Sequence, residues 1–271
     1  MTMNLTDVLW ERDGGVVTIT MNRPQKLNAQ NLDMMYSLIA AFEEVERDDS
    51  IKCAIWTGAG RGWSAGRDFS DPKLAGVAPY GPEFERGTRL LPLSIGGKLQ
   101  WVLWRCRKPI IGAINGHALG GALSAALQCD FRIASDRAQL GAMFVKRGRV
   151  PDNGGIYLLT KLMGLGPALE FMYTGDLVDA QRALELGLVN RVVPHDELLP
   201  HCRELAARIA AGPSLAIEFI KKIALRTFEG DSFESVTAYE AFAQSVCEAS
   251  EDGTEGVRSF QEKREPRFQG R

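Results

Sequence analysis

At 271 residues and 45% hydrophobic content, the chain has material for one large globular domain, or for one domain with a small extension. Its 32 basic and 34 acidic side chains leave a net charge of −2, which argues against a nucleic-acid footprint and leaves any anionic ligand to local basic residues. Cys53, Cys106, Cys129, Cys202 and Cys247 form neither a Cys-x-x-Cys pair nor a Cys/His cluster, and no signal-like start or run of about 18 apolar residues is present; the expectation is a soluble, unprocessed, cytoplasmic protein without metal or disulfide framework.

Residues 8–12 and 16–22 alternate in side-chain character about Asp13-Gly14-Gly15, which predicts a β-hairpin. Asn28 then reads as the cap of a helix over 29–47, with Leu32, Met35, Ile39, Phe42 and Val45 on one face. A strand over 51–57 follows, and this strand–helix–strand alternation predicts an α/β fold with a largely parallel sheet. Residues 70–97, rich in proline and glycine, read as a loop that shapes a pocket for the variable part of a substrate. A helix is expected over 98–107, with strands over 109–114, 131–134 and 189–193. After Pro194 three helices are expected, over 196–211, 214–228 and 233–249.

Two glycine-bearing stretches carry the chemistry. In the first, an apolar strand ends at Ile114, Asn115-Gly116 makes a turn, and Gly120-Gly121 opens a small-residue helix. The first amides of such a helix have no partner within it, and the helix dipole reinforces their pull on a negative oxygen. With no side chain in the way, such an amide can serve an oxyanion hole. The second stretch, Thr57 to Phe69, ends a strand in Gly58-Ala-Gly-Arg-Gly62 and continues into Ala65-Gly-Arg-Asp68.

Together Ala65-Gly-Arg-Asp68 and Asn115-Gly-His-Ala-Leu-Gly-Gly121 resemble the crotonase (enoyl-CoA hydratase/isomerase) superfamily, and Asn22 to Ala29 and Glu255 to Arg271 look like further landmarks of it. The resemblance implies a spiral of repeated ββα units over 1–195 holding the active site. It implies a helical region over 196–271 for oligomerisation and pocket closure, in a trimer or dimer of trimers. The implied substrate is an acyl-CoA thioester, with coenzyme A as part of the substrate and no separate cofactor. The backbone amides of Arg67 and Gly121 would polarise the thioester carbonyl, although the family commonly has a small or polar residue where Arg67 stands. Lys26, Leu27, Ala65, Arg67, Phe69, Gly120, Gly121, Phe260 and Lys263 match positions that contact substrate or CoA, the last two from the C-terminal tail.

Hydratases of the family use two glutamates, and this chain has Ser124 and Phe144 at the matching positions. Neither side chain can shuttle a proton near neutral pH, which disfavours water addition by that route. Pro151-Asp-Asn-Gly-Gly155 resembles instead the Pro-Asp-x-Gly-Gly of family isomerases, including the phenylacetate-degradation isomerase, and this selects Asp152 as acid/base. An aspartate before Asn-Gly-Gly is also a good helix N-cap, so base and cap stand side by side. Glu83 and Glu85 are further acid candidates. His117 reads as hydrogen-bonded structure, His195 and His201 as surface, and Asp68 and Asp130 as loop and turn anchors. Ser124 has no partners for a hydrolase triad. The preferred expectation is an enoyl-CoA or ring-derived CoA-ester isomerase. A hydratase or CoA-ester hydrolase using another carboxylate, and a non-catalytic CoA-binding homologue, are the alternatives.

Overall fold

The computed structural model describes residues 4–75 and 95–271. Glu83, Glu85 and most of the proline-rich stretch lie outside the described residues.

The chain opens with the expected hairpin, β1 (Val8–Asp13) and β2 (Val16–Met21), paired in register from Val8 opposite Met21 to Asp13 opposite Val16. A helical turn at Pro24–Lys26 leads to α1 (Leu32–Arg47). The strands β3 (Cys53–Gly58) and β4 (Gly62–Ser64) come next, then α2 (Pro72–Ala75) and α3 (Ile95–Arg105). After them run β5 (Ile110–Ile114), β6 (His117–Leu119), α4 (Gly121–Ala126), β7 (Phe131–Ser135) and β8 (Gln139–Gly141). The helices α5 (Gly155–Met163) and α6 (Leu165–Thr174), the strand β9 (Leu177–Asp179), α7 (Ala180–Glu185) and β10 (Arg191–Val193) complete the sheets. Four helices finish the chain: α8 (Leu198–Ala210), α9 (Ser214–Glu229), α10 (Phe233–Glu248) and α11 (Glu251–Gln261). The last of these was not among the expected helices.

Among the described residues two sheets form. The larger has the order β1-β2-β3-β5-β7-β10 and is parallel except for the opening hairpin; the smaller has the order β4-β6-β8-β9. Each of β3, β5 and β7 is followed within a few residues by a short strand in the smaller sheet, so successive ββ steps build both layers and turn the chain between them.

Side chains alternate across β3, all six of whose residues are buried. Ala54 and Trp56 join the main core with Phe42 of α1, whose ring meets Trp56 edge-on at 5.1 Å, while Trp63 lies 4.7 Å beyond Trp56. Cys53 and Ile55 face the other way, with Ile111 and Ile133, onto Leu198, Cys202 and Ala206 of α8. Thus α8 covers one face of the large sheet and α1 the other. Burial pushes the thiols of Cys53, Cys129 and Cys202 up to about 12, leaving them inert core residues. No helix among the described residues is long and apolar enough to cross a membrane.

One expected cap is corrected. Helix α1 starts three residues later than predicted and is capped by Asn31, whose side chain accepts from the Met34 amide. Asn28 is instead fully buried, with a left-handed φ of 54°. Its Oδ1 accepts from Arg23 N at 2.8 Å, and its Nδ2 donates to Ala59 O and Gly62 O at 2.8 and 2.7 Å. A side chain spent on three backbone groups of neighbouring loops has nothing left for a helix end.

Candidate active site

The strand β4 runs parallel to β6, which brings the loop after Ser64 against the turn after Leu119. Gly66 makes this approach possible: it has a φ of +87°, and a Cβ on it would stand 2.7 Å from Leu119 O and 3.7 Å from Gly121 N. Only glycine fits such a backbone against such a neighbour.

The loop is pinned from its other side by residues 27–30. Ala65 N donates to Leu27 O at 2.9 Å, Gln30 N to Gly66 O at 2.7 Å, and Asp68 N to Gln30 O at 2.9 Å. Gln30 therefore brackets Arg67 as in a parallel ladder, where alternate amides face opposite ways, and Arg67 N has no partner among the described residues. Asp68 anchors the same loop. The Ser70 hydroxyl, and then Arg23 at 2.9 Å, hold its carboxyl below the usual carboxylate range.

Across the gap, Gly120 N donates to Gly141 O at 2.9 Å, which leaves Gly121 N as the first unpaired amide of α4. Gly120 adopts φ 55° and ψ −126°, a conformation closed to other residues, whereas a Cβ on Gly121 would meet nothing within 4 Å. Arg67 and Gly121 both line one cavity of about 360 Å³. Its wall includes Ala65, Phe69 and Gly120, the apolar side chains of Met35, Leu99, Leu119 and Met143, and Asp152. Two free backbone donors at the edge of an apolar hollow are the arrangement an oxyanion requires.

Asp152 does not cap α5. That helix begins after Gly154 with no side-chain cap, and Asp152 contributes only its backbone oxygen, which accepts from Gly155 N at 2.8 Å. Its carboxylate takes one side-chain hydrogen bond, from Asn153 Nδ2 at 3.1 Å. The carboxyl is open to the cavity, yet the surrounding wall displaces much of the bulk water. This desolvation raises its pKa above the ordinary 3.8, while the guanidiniums of Arg67 and Arg149 pull the other way.

Ser124 and Phe144, where the family resemblance would place hydratase glutamates, are both packed against the site. Ser124 is buried beneath the start of α5, so close that a Cβ on Gly155 would meet its Oγ at 2.5 Å. Phe144 lines the cavity with an aromatic ring.

Of the other expected contacts, Leu27 holds the Ala65–Asp68 loop through its carbonyl and has a left-handed φ of 49°. Lys26 is exposed at the end of the preceding turn, outside the cavity wall. Phe260, 85% exposed, and Lys263 belong to the last helix and tail, also apart from that wall. Asp130 anchors a turn as expected, accepting from Ile110 N and Lys221 Nζ at 2.8 Å each. His117, expected to be hydrogen-bonded, has a buried Nδ1 without a partner, and His195 is half-buried with Nδ1 2.9 Å from Ser135 Oγ. Among the described residues no group of three or more His, Cys, Asp or Glu side chains could hold a metal ion.

The structure adds residues that the sequence did not single out. Arg147 and Arg149 line the cavity, and so does Gln100, whose buried Nε2 has no partner. The basic run Lys146-Arg-Gly-Arg149 just ahead of Pro151-Asp152 was the only signal available.

A family profile described as enoyl-CoA hydratase/isomerase matches residues 11–271. The chain is 35% identical to a short-chain-enoyl-CoA hydratase of Clostridium acetobutylicum over 97% of both chains. It is 34% identical to a 1,2-epoxyphenylacetyl-CoA isomerase of Escherichia coli K12, over 97% of this chain and 98% of that one. The crystal structure of an enoyl-CoA hydratase from Bacillus anthracis superposes with a TM-score of 0.89 at 30% identity, covering 98% of this chain and all of the other. With the profile spanning nearly its whole length, the chain belongs to the enoyl-CoA hydratase/isomerase family.

Proposed function

We propose that this protein isomerises an acyl-CoA thioester. Asp152 takes a proton from the acyl chain and returns it at another carbon, while the amides of Arg67 and Gly121 hold the thioester oxygen as it gains charge. The carrying observation is that Asp152 lines one cavity with Arg67 and Gly121, whose amides are unpaired among the described residues, while by the family resemblance Ser124 and Phe144 stand where a hydratase would place its two acids. A carboxyl whose pKa is raised is a better proton acceptor than an ordinary aspartate. Each amide is worth roughly 3 kcal/mol of barrier in such a site.

Around this centre we place Lys26, Leu27, Ala65, Phe69 and Gly120 on the substrate and its CoA arm. Phe260 and Lys263 would reach the cavity of a neighbouring subunit in a trimer or dimer of trimers. The exposed apolar side chains of the last helices support such an assembly. A hydratase activity has support from the names of several relatives, among them the C. acetobutylicum enzyme and the B. anthracis structure. Incubating the protein separately with 3-enoyl-CoA, 2-enoyl-CoA and the free acids distinguishes these readings. Interconversion of double-bond positions without water uptake is expected; hydration of 2-enoyl-CoA with no double-bond shift would replace the isomerase reading, and inertness toward all thioesters would leave only a binding role.

A further inference from the structure

The cavity wall carries more positive charge than proton transfer requires. Arg67, Arg147 and Arg149 all line it, and none has a carboxylate within ion-pairing distance among the described residues. Elsewhere in the chain Arg12, Arg23, Arg107, Arg226 and Arg264 each have such a partner. Arg67 is partly engaged, its Nη2 donating to Leu74 O at 2.9 Å. Arg147 and Arg149 are not: their guanidiniums lie 5.5 and 5.1 Å from the centre of the same ring, Phe69. The ring gathers two like charges at one place, where they repel each other and leave their planar donor edges unspent.

We propose that the acyl group of the thioester ends in a carboxylate, and that Arg147 and Arg149 receive it. This rests on the acyl-CoA reading above and adds the substrate class to it. The obvious alternative is that these arginines bind the phosphates of CoA, and position argues against it. Arg149 stands three residues before Asp152 and lines the same cavity, which Arg67 and Gly121 also line. That places the Arg149 charge at the thioester end of the substrate, whereas the phosphates of CoA are a whole pantetheine arm away. A planar carboxylate matches two guanidinium forks, and it would also relieve their mutual repulsion.

The test compares two CoA esters that differ in one group: the five-carbon 2-enoyl thioester and the five-carbon 2-enoyl thioester whose chain ends in a carboxylate. Calorimetry on the intact protein gives both affinities. We expect the carboxylate-bearing ester to bind about tenfold more tightly, the scale of two partly exposed charge-assisted contacts. In the double variant Arg147→Gln/Arg149→Gln the ratio of the two affinities should fall to near one. Arg149→Lys, which keeps the charge and loses the fork, should retain part of the preference. Equal binding of both esters by the unmodified protein overturns the proposal and leaves the acyl-CoA reading intact. A double variant that weakens both esters alike, with the ratio kept, assigns the arginines to the CoA arm and also overturns it. Failure of both esters to bind would overturn the acyl-CoA reading and this inference with it.

Discussion

At Asp152 two opposing influences meet on one carboxyl group: the cavity wall raises its pKa by desolvation, and Arg67 and Arg149 lower it. Because the net direction is upward, the folded chain holds this proton more tightly than the unfolded chain does. The stability linked to it is complete at acid pH and declines as pH rises from 3.8 through the folded-state value. Asp152→Asn removes that decline and costs no cap, since the side chain caps nothing. The variant should melt at or above the temperature of the parent at neutral pH, while kcat falls on the order of 10²–10⁴-fold and CoA-ester affinity stays nearly intact. Near-normal turnover would remove Asp152 as the base. Arg149→Gln should move the acid limb of the kcat/KM profile to higher pH, because one of the charges favouring the carboxylate is gone; an unshifted limb would show that this charge does not reach the base. The motif made Asp152 readable, but not its release from capping, since the helix starts beyond it at Gly155, which is seated against Ser124. Arg147 and Arg149 were illegible for another reason. An exposed arginine in a sequence reads as solvated surface, and only the cavity brings these two to a common ring.

At the scale of elements, the site depends on two loops held edge to edge by three-residue strands. Gly66→Ala tests that contact: its Cβ would press on Leu119 O while the residue keeps a positive φ, so the loops must part. Moving Arg67 N relative to Gly121 N should lower kcat on the order of 10²–10³-fold, as loss of one oxyanion donor does, with a smaller change in affinity for the ester. A variant with unchanged kcat would mean that these amides do not hold the reacting oxygen. The central strands β3 and β5 were legible because they are continuous apolar runs buried on both faces, and the opening hairpin because its side chains alternate. The strands of the small sheet were not, since Gly62–Ser64 and His117–Leu119 look like turn sequence until parallel neighbours pair with them. The misplaced cap of α1 has a similar cause: Asn28 and Asn31 carry equal local signals, and burial of Asn28 among three loops decides between them.

For the whole molecule, the last helices present apolar surface that the single chain does not cover. No residue of α9 is buried, and Ile220, Phe233, Phe242, Val257 and Phe260 are 55–85% exposed along α9, α10 and α11. Apolar groups spread over three adjacent helices suit contact with further copies of the chain, and the trimer or dimer of trimers proposed from the family resemblance would close such contacts into a finite assembly. The tail itself is firmly set: the buried Asp252 accepts from Gln269 N and Gly270 N at 2.6 and 2.8 Å, so Phe260 and Lys263 project from a fixed base and not from a loose end. Light scattering of the intact protein at micromolar concentration should give three or six times the mass of one chain. Phe260→Asp, which places a charge on that surface, should shift the population toward smaller species and reduce turnover together, because the tail would no longer complete a neighbour's site. Lys263→Ala should leave the assembly in place and weaken CoA-ester binding several-fold. A monomer with full activity would refute the assembly and withdraw both tail residues from the site.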